Sequence, residues 1–125
     1  MSKFLVIAEK PSVAQSYAKN LSAYKKEDGY LEGESCIISW CLGHLAEYAQ
    51  PEEYDPKYEK WQFDDLPILP QVWKLKVSRD KKKQFDVLKS LMNRADVDYL
   101  VNGCDAGREG ELIFQRVYDL SLIHI

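Results

Sequence analysis

Gly103-Cys104-Asp105-Ala106-Gly107-Arg108-Glu109-Gly110-Glu111 is the stretch whose reading decides the fold. It follows Tyr99-Leu100-Val101-Asn102, a short run suited to a buried strand with Tyr99 in its core. It precedes Leu112, Ile113, Val117 and Leu120, which fall on one side of a helix over 109–120. Three glycines and three acids in nine residues make a tight, acidic turn from strand into helix. In α/β sheets such turns lie at the carboxyl edge, where ligands bind. Glu109 and Glu111 open the helix, where its dipole favours carboxylates, so they read either as capping acids or as part of a cation site.

The amino-terminal residues supply a counterpart. Leu5–Ala8 is an apolar run suited to a buried parallel strand, and Glu9-Lys10-Pro11-Ser12 follows it. Two parallel strands point the same way, so Glu9 and Asp105 emerge at one sheet edge. Glu9, Asp105 and Glu109 then form a candidate set of oxygen ligands for a hard divalent cation such as Mg2+, which takes carboxylates, water and phosphate oxygens. Such an ion serves phosphoryl transfer. Lys10 stands at the mouth of the first helix, as a phosphate contact or an ordinary surface lysine. Arg108 contacts a phosphate or pairs with Glu109. Ser12, three residues before Gln15, has capping-box spacing and predicts a helix start, with phosphate contact as its other reading.

Between these ends the chain alternates elements. Val13, Tyr17 and Leu21, beside Ala14 and Ala18, give the first helix an apolar stripe. Asp28-Gly29 and Glu32-Gly33-Glu34 are turn signals flanking Tyr30-Leu31 and Ser35–Leu42, which predicts a hairpin. Residues 48–70 hold four of the five prolines and form an excursion over the surface. Val72–Val77 alternates with lysines as a half-buried or edge strand does. Phe85, Leu88, Leu91, Met92 and Ala95 recur at helical spacing over 80–95. The expected fold is a single α/β domain over 1–120, with a largely parallel central sheet flanked by helices.

Composition narrows the class. The 125 residues suffice for one domain, and 46% hydrophobic with 30% charged residues excludes disorder, collagen and coiled coil. No apolar run approaches the ~20 residues of a membrane span. The first apolar run is too short for a signal peptide, so a cytoplasmic location is expected. The net charge of −3 is uneven: residues 47–65 carry seven acids against Lys57 and Lys60, while residues 74–94 carry eight bases against Asp80 and Asp86. That basic segment reads as a solvated helix face or as a phosphate-contacting surface. Cys36, Cys41 and His44 have a spacing that suggests zinc, but on one strand the two cysteines point to opposite faces, which favours structural thiols.

Taken together, Glu9-Lys10-Pro11-Ser12 and Asp105-Ala106-Gly107-Arg108-Glu109-Gly110-Glu111 resemble the two acidic motifs of the Toprim domain. Gly43-His44-Leu45, Trp61, Asp65-Leu66-Pro67-Ile68-Leu69-Pro70 and Trp73 resemble the amino-terminal region of bacterial topoisomerase III enzymes, within the type IA family. The similarity runs from about Lys3 to Leu120. It implies a Toprim-like fold, Mg2+ held by Glu9, Asp105 and Glu109, and general acid/base catalysis by Glu9. It makes Lys10 and Arg108 catalytic candidates, and Lys10, Ser12, His44 and Arg108 candidates for contact with a single-stranded DNA segment. His44 reads alternatively as a plain turn histidine.

Gly107 replaces the middle acid of the family's D-x-D-x-E pattern, which removes one expected ligand. In the family the tyrosine nucleophile lies in a later domain, and none of the eight tyrosines here sits in a segment resembling it. The chain is therefore expected to be a fragment needing the remaining topoisomerase domains, with 121–125 a truncated or non-native tail. Other Toprim enzymes, nucleases and primases, and an isolated non-catalytic binding module are the alternative readings.

Overall fold

Strand β1 (Lys3–Ala8) is the spine of the molecule in the computed structural model, which describes residues 2–121. Leu5, Val6, Ile7 and Ala8 are buried because strands flank β1 on both edges and helices cover both faces. On one edge it pairs in parallel with β4 (Cys36–Trp40), on the other with β7 (Val97–Gly103). Beyond β4 lie β3 (Tyr30–Glu32) and β2 (Lys25–Glu27), both antiparallel, giving the order β2-β3-β4-β1-β7. The hairpin expected around Glu32-Gly33-Glu34 is present. β2 extends it although Lys25–Glu27 carries no apolar alternation. The Asp28-Gly29 turn that joins β2 to β3 has Gly29 at φ +91°, a conformation glycine adopts without strain.

Helix α1 (Pro11–Leu21) covers one face through Ala14 and Ala18, which pack with Val6, Ala8, Cys36 and Ile38. Helices α3 (Lys82–Met92) and α4 (Arg108–Ser121) cover the other, where Leu88, Ile113 and Val117 pack with Leu5, Ile7, Ile37 and Cys41. Cys36 and Cys41 thus lie in separate cores on opposite faces, as strand geometry requires. Gln84 of α3 is buried, and its amide reaches the Ser39 hydroxyl at 3.1 Å and the carbonyls of Gly29 and Trp40 at 3.1 and 2.9 Å. This satisfies a polar group that burial alone would penalise.

Several boundaries differ from expectation. The cap of α1 is Lys10, with Pro11 as the first helical residue, so Ser12 is inside the helix and does not cap it. Proline is preorganised for that first position and needs no N–H there. Helix α3 ends at Met92, leaving Ala95 exposed in the turn before β7. Leu21 and Leu112, at the margins of their stripes, are exposed. Tyr99 is 58% exposed and is not strand core, because β7 is an edge strand whose Tyr99 face lies beyond the reach of α1. Tyr99 stacks on Phe4 of β1 with ring centroids 5.5 Å apart.

The Val72–Val77 strand is shorter than expected and outside the central sheet. As β6 (Leu75–Val77) it pairs with β5 (Ala46–Tyr48) in a separate antiparallel ribbon. The chain between them is the surface excursion, with α2 (Pro51–Tyr54) and 3-10 turns at Pro56–Glu59 and Phe63–Asp65. Much of the basic segment is engaged within the molecule. Lys76 pairs with Glu53, Lys83 with Asp28, and Arg94 with Glu32 and Asp96. The last three residues, joined by Lys3, form a cluster at the amino edge of the sheet, opposite Glu9 and Asp105. Residues 122–125, most of the expected tail, lie outside the described residues, and Ser121 is the last residue of α4.

Candidate functional site

Register alone brings the acidic residues together. Ala8 of β1 lies opposite Trp40 of β4 and Gly103 of β7, so the residues that follow leave three adjacent strands at one edge. There Glu9, Lys10, His44, Asp105, Arg108 and Glu109 line a cleft of about 440 Å³. Ser12 is exposed on α1 and does not line it.

The Gly103–Glu111 turn is shaped by close contacts. The Tyr17 hydroxyl donates to the Gly103 carbonyl at 2.8 Å, pinning α1 to the end of β7. A Cβ on Gly103 would meet the Tyr17 ring at 2.9 Å, so glycine is needed for this approach. The Cys104 N–H donates to Asn102 Oδ1 at 3.1 Å, and the Gly107 N–H to the Asp105 carbonyl at 2.8 Å. Asn102 also donates to Glu111 at 3.0 Å, which holds Glu111 on the β7 side and out of the cleft.

Glu9 is the electrostatically perturbed member. Partial burial, then the charge and hydrogen-bonding carboxylate of Asp105, then the charge of Glu109, push its carboxyl above the usual glutamate range, while Lys10 opposes them. The acids are crowded, yet no three His, Cys, Asp or Glu side chains are drawn into a ready-made metal cluster among the described residues. Glu109 reaches instead to His44, with Oε1 3.2 Å from Nε2. The expected alternative of an Arg108–Glu109 pair does not form; Arg108 is exposed at the cleft.

His44 sits on a turn that other elements hold in place. Gly43 adopts φ +68° and its N–H reaches the Glu9 carbonyl at 3.4 Å. Lys81 Nζ donates to the His44 carbonyl at 3.1 Å, and the Ser78 N–H to the Leu45 carbonyl at 3.2 Å. His44 Nδ1 is buried without a partner. Cys41 and Cys104 follow the two strands that flank β1. Their hydrogen bond and burial push the Cys41 thiol up, and the same bond pulls Cys104 down. With Cys36 on the other face and His44 turned to Glu109, the zinc arrangement is not formed.

Sequence reasoning missed Tyr17, Lys81 and Gly110 as determinants of this site, the last because a Cβ there would collide with the Asp105 backbone. Tyr17 reads as one more apolar position on a helical stripe, and Lys81 as one of eight bases. Gly110 reads only as one of the three glycines of a tight turn.

Comparison with known proteins agrees with the fold. The Toprim domain family matches residues 4–123. DNA topoisomerase 3 from Bacillus cereus (strain ATCC 10987 / NRS 248) is 51% identical over 119 residues, 95% of this chain and 16% of that protein. Those from Bacillus anthracis and Bacillus subtilis (strain 168) are 50% and 49% identical over the same shares. The chain thus spans about a sixth of the length of the relatives it matches. It belongs to the Toprim domain family and matches the Toprim portion of bacterial DNA topoisomerase 3.

Proposed function

We propose that this chain supplies the metal- and proton-handling part of a type IA DNA topoisomerase active site, which cleaves and rejoins one DNA strand by transesterification. The observation that carries the reading is the meeting of Glu9, Asp105 and Glu109 with Lys10 and Arg108 in one cleft at the carboxyl edge. Oxygen donors of this kind suit a hard divalent ion, and Mg2+ fits carboxylates supplemented by water and phosphate oxygens. Asp105 and Glu109, with Glu9 beside them, would hold it. Gly107 leaves room that the absent middle acid does not fill. When bound, the ion supplies charge neutralisation at the phosphate.

Glu9 is the general acid/base. Its carboxyl, at the mouth of the cleft beside Lys10, can give a proton to the departing sugar oxygen and recover it on rejoining. Lys10 and Arg108 bring two positive charges to the mouth of an acidic cleft, where they would orient the phosphodiester. His44 lines the same cleft and would contact the strand, releasing Glu109 as it does so. Ser12, exposed on α1 outside the cleft, would contact the backbone further along. The nucleophilic tyrosine comes from other domains of the parent enzyme; no tyrosine lines the cleft among the described residues. Among those residues no helix is long and apolar enough to cross a membrane. The cytoplasm, where DNA is handled, is the proposed compartment.

The test places this chain in the position of the matching segment of the Bacillus subtilis relative and follows relaxation of negatively supercoiled DNA. Relaxation that requires Mg2+ and disappears in the Asp105→Ala, Glu109→Ala double variant supports the assignment. Unchanged religation in that variant refutes the metal ligands. Nicking by the unmodified chain alone would indicate a Toprim nuclease.

A further inference from the structure

Two thiols that the proposed chemistry does not use lie behind the acidic cleft. Cys41 and Cys104 each stand one residue beyond the ladder partners of Ala8, which are Trp40 on one side and Gly103 on the other. They are therefore level with Glu9 and turned to the face of α3 and α4, where both pack in one core. Their sulfurs meet across the end of β1. The Cys104 thiol donates to the Ile7 carbonyl at 3.8 Å, and the Cys41 thiol donates to the Cys104 sulfur.

The two differ in access. Cys41 is 0% exposed, whereas Cys104 is partly exposed. An oxidant in solution meets Cys104 first, with Cys41 beneath it as a resolving thiol, the arrangement of a redox-responsive pair. Cys36 cannot compete, because it lies in the core on the opposite face of the sheet. A metal suits the pair poorly: no third His, Cys, Asp or Glu completes a ligand set among the described residues.

Strand order makes a bond between them consequential. β1 separates β4 from β7, so their ends stand two strand spacings apart, about 10 Å. A disulfide holds its Cα atoms within about 7 Å. Closing it must draw the chain after Trp40 and the chain after Gly103 toward each other. Cys104 leads straight into Asp105, with Gly103 and Gly107 flanking the segment that moves. A bond closed against such a displacement is readily reopened by thiols.

We propose that Cys41 and Cys104 are a reversible oxidation site for hydrogen peroxide, whose closure as a disulfide displaces the Asp105 turn. Cys104 takes an oxygen from peroxide, giving a sulfenic acid and one water. The Cys41 sulfur then attacks the Cys104 sulfur. The S–O bond breaks as the S–S bond forms, and a second water leaves with the Cys41 proton. The two thiols together lose two electrons and two protons, and peroxide is reduced to water. The site does not depend on metal binding by the acids.

Peroxide treatment of the purified chain, followed by peptide mapping without reductant, tests it. A linked Cys41–Cys104 peptide is expected, with Cys36 still a free thiol and the link opened by dithiothreitol. In Cys41→Ser the resolving thiol is gone, so dimedone should capture a sulfenic acid at Cys104 that the unmodified chain does not accumulate. Amide NMR resonances of Asp105 and Gly107 should shift on oxidation and return on reduction, while those of β2 stay in place. Sulfinic acid at Cys104 with Cys41 still a thiol would overturn the proposal. So would disulfides joining two chains, or recovery of both thiols unoxidised. A linked pair with unmoved Asp105 and Gly107 amides would refute the displacement.

Discussion

Gly110 packs directly on the backbone of Asp105: a Cβ built on Gly110 would collide with the Asp105 carbonyl oxygen. The first turn of α4 therefore folds back directly onto the strand-to-helix turn that presents Asp105. In an exposed helix, replacing glycine by alanine gains about 1 kcal/mol. Here the added methyl group meets backbone that can yield only by opening the turn.

Gly110→Ala is accordingly expected to reverse the usual sign, destabilising the domain by about 1–3 kcal/mol through overpacking. Urea unfolding of the purified chain measures this. A neutral or stabilised variant would show that the Asp105 turn relaxes freely.

Gly107 presents the opposite case. A Cβ there meets nothing within 4 Å, and its φ lies outside the left-handed region. Gly107→Asp should fold normally and supply a further carboxylate at the cleft, tightening Mg2+ binding by about tenfold, equivalent to ~1.4 kcal/mol. Isothermal titration of the two proteins with Mg2+ decides it, and equal affinities would place Gly107 outside the metal's reach.

The Glu9 carboxyl is raised by burial first and by Asp105 next. Asp105→Asn removes that second charge, so Glu9 should titrate at lower pH in the variant, followed by carboxyl NMR chemical shifts. Because the folded value lies above the unfolded one, Glu9 favours folding at low pH and that contribution is lost as pH rises through the folded value. The substitution should reduce this pH dependence. An unchanged Glu9 titration would mean that the two carboxylates do not interact.

Glu32 behaves with the opposite sign. Hydrogen bonds from Lys3 and then Arg94 hold its carboxyl below the usual range, and the side chain is only 16% exposed. Its stabilising contribution is full above the unfolded value and disappears as pH falls through the folded one. Glu32→Gln should cost about 1–3 kcal/mol at pH 7, as charge-assisted hydrogen bonds do. The cost should shrink on acidification to pH 3. Denaturant melts at both pH values read the difference, and a pH-independent cost would assign the effect to packing.

Tyr17 tests the clamp behind the acidic turn. Tyr17→Phe keeps the ring against Gly103 but removes the hydroxyl's 2.8 Å bond to its carbonyl, with an expected cost of about 1 kcal/mol. Faster amide exchange at Cys104 and Asp105 would report the loosened turn. Unaltered exchange there would confine Tyr17 to packing.

The alternating elements were legible because apolar runs and helical stripes report directly which residues must leave water. Leu5–Ala8, Phe85–Met92 and Ile113–Val117 have this character, and they form the core. The acidic motifs could be read too, since β1 and β7, once parallel, must release Glu9 and Asp105 at one edge. Tyr99 was misread because a strand's exposure depends on its place in the sheet, and β7 lies at the edge. The capping reading of Ser12 fails because Pro11 competes for the helix start and takes it.

By its own local patterning, then, the sequence determined the α/β class and the ends of the site, through burial period and turn chemistry. Tertiary structure alone decided the pairing of His44 with Glu109, the clamp of Tyr17 on Gly103 and the separate ribbon of β5 and β6. Those contacts join residues 65 and 86 positions apart in the first two cases. Periodicity reports which face of an element is buried. It carries no information about which distant side chain will be waiting there when the faces close.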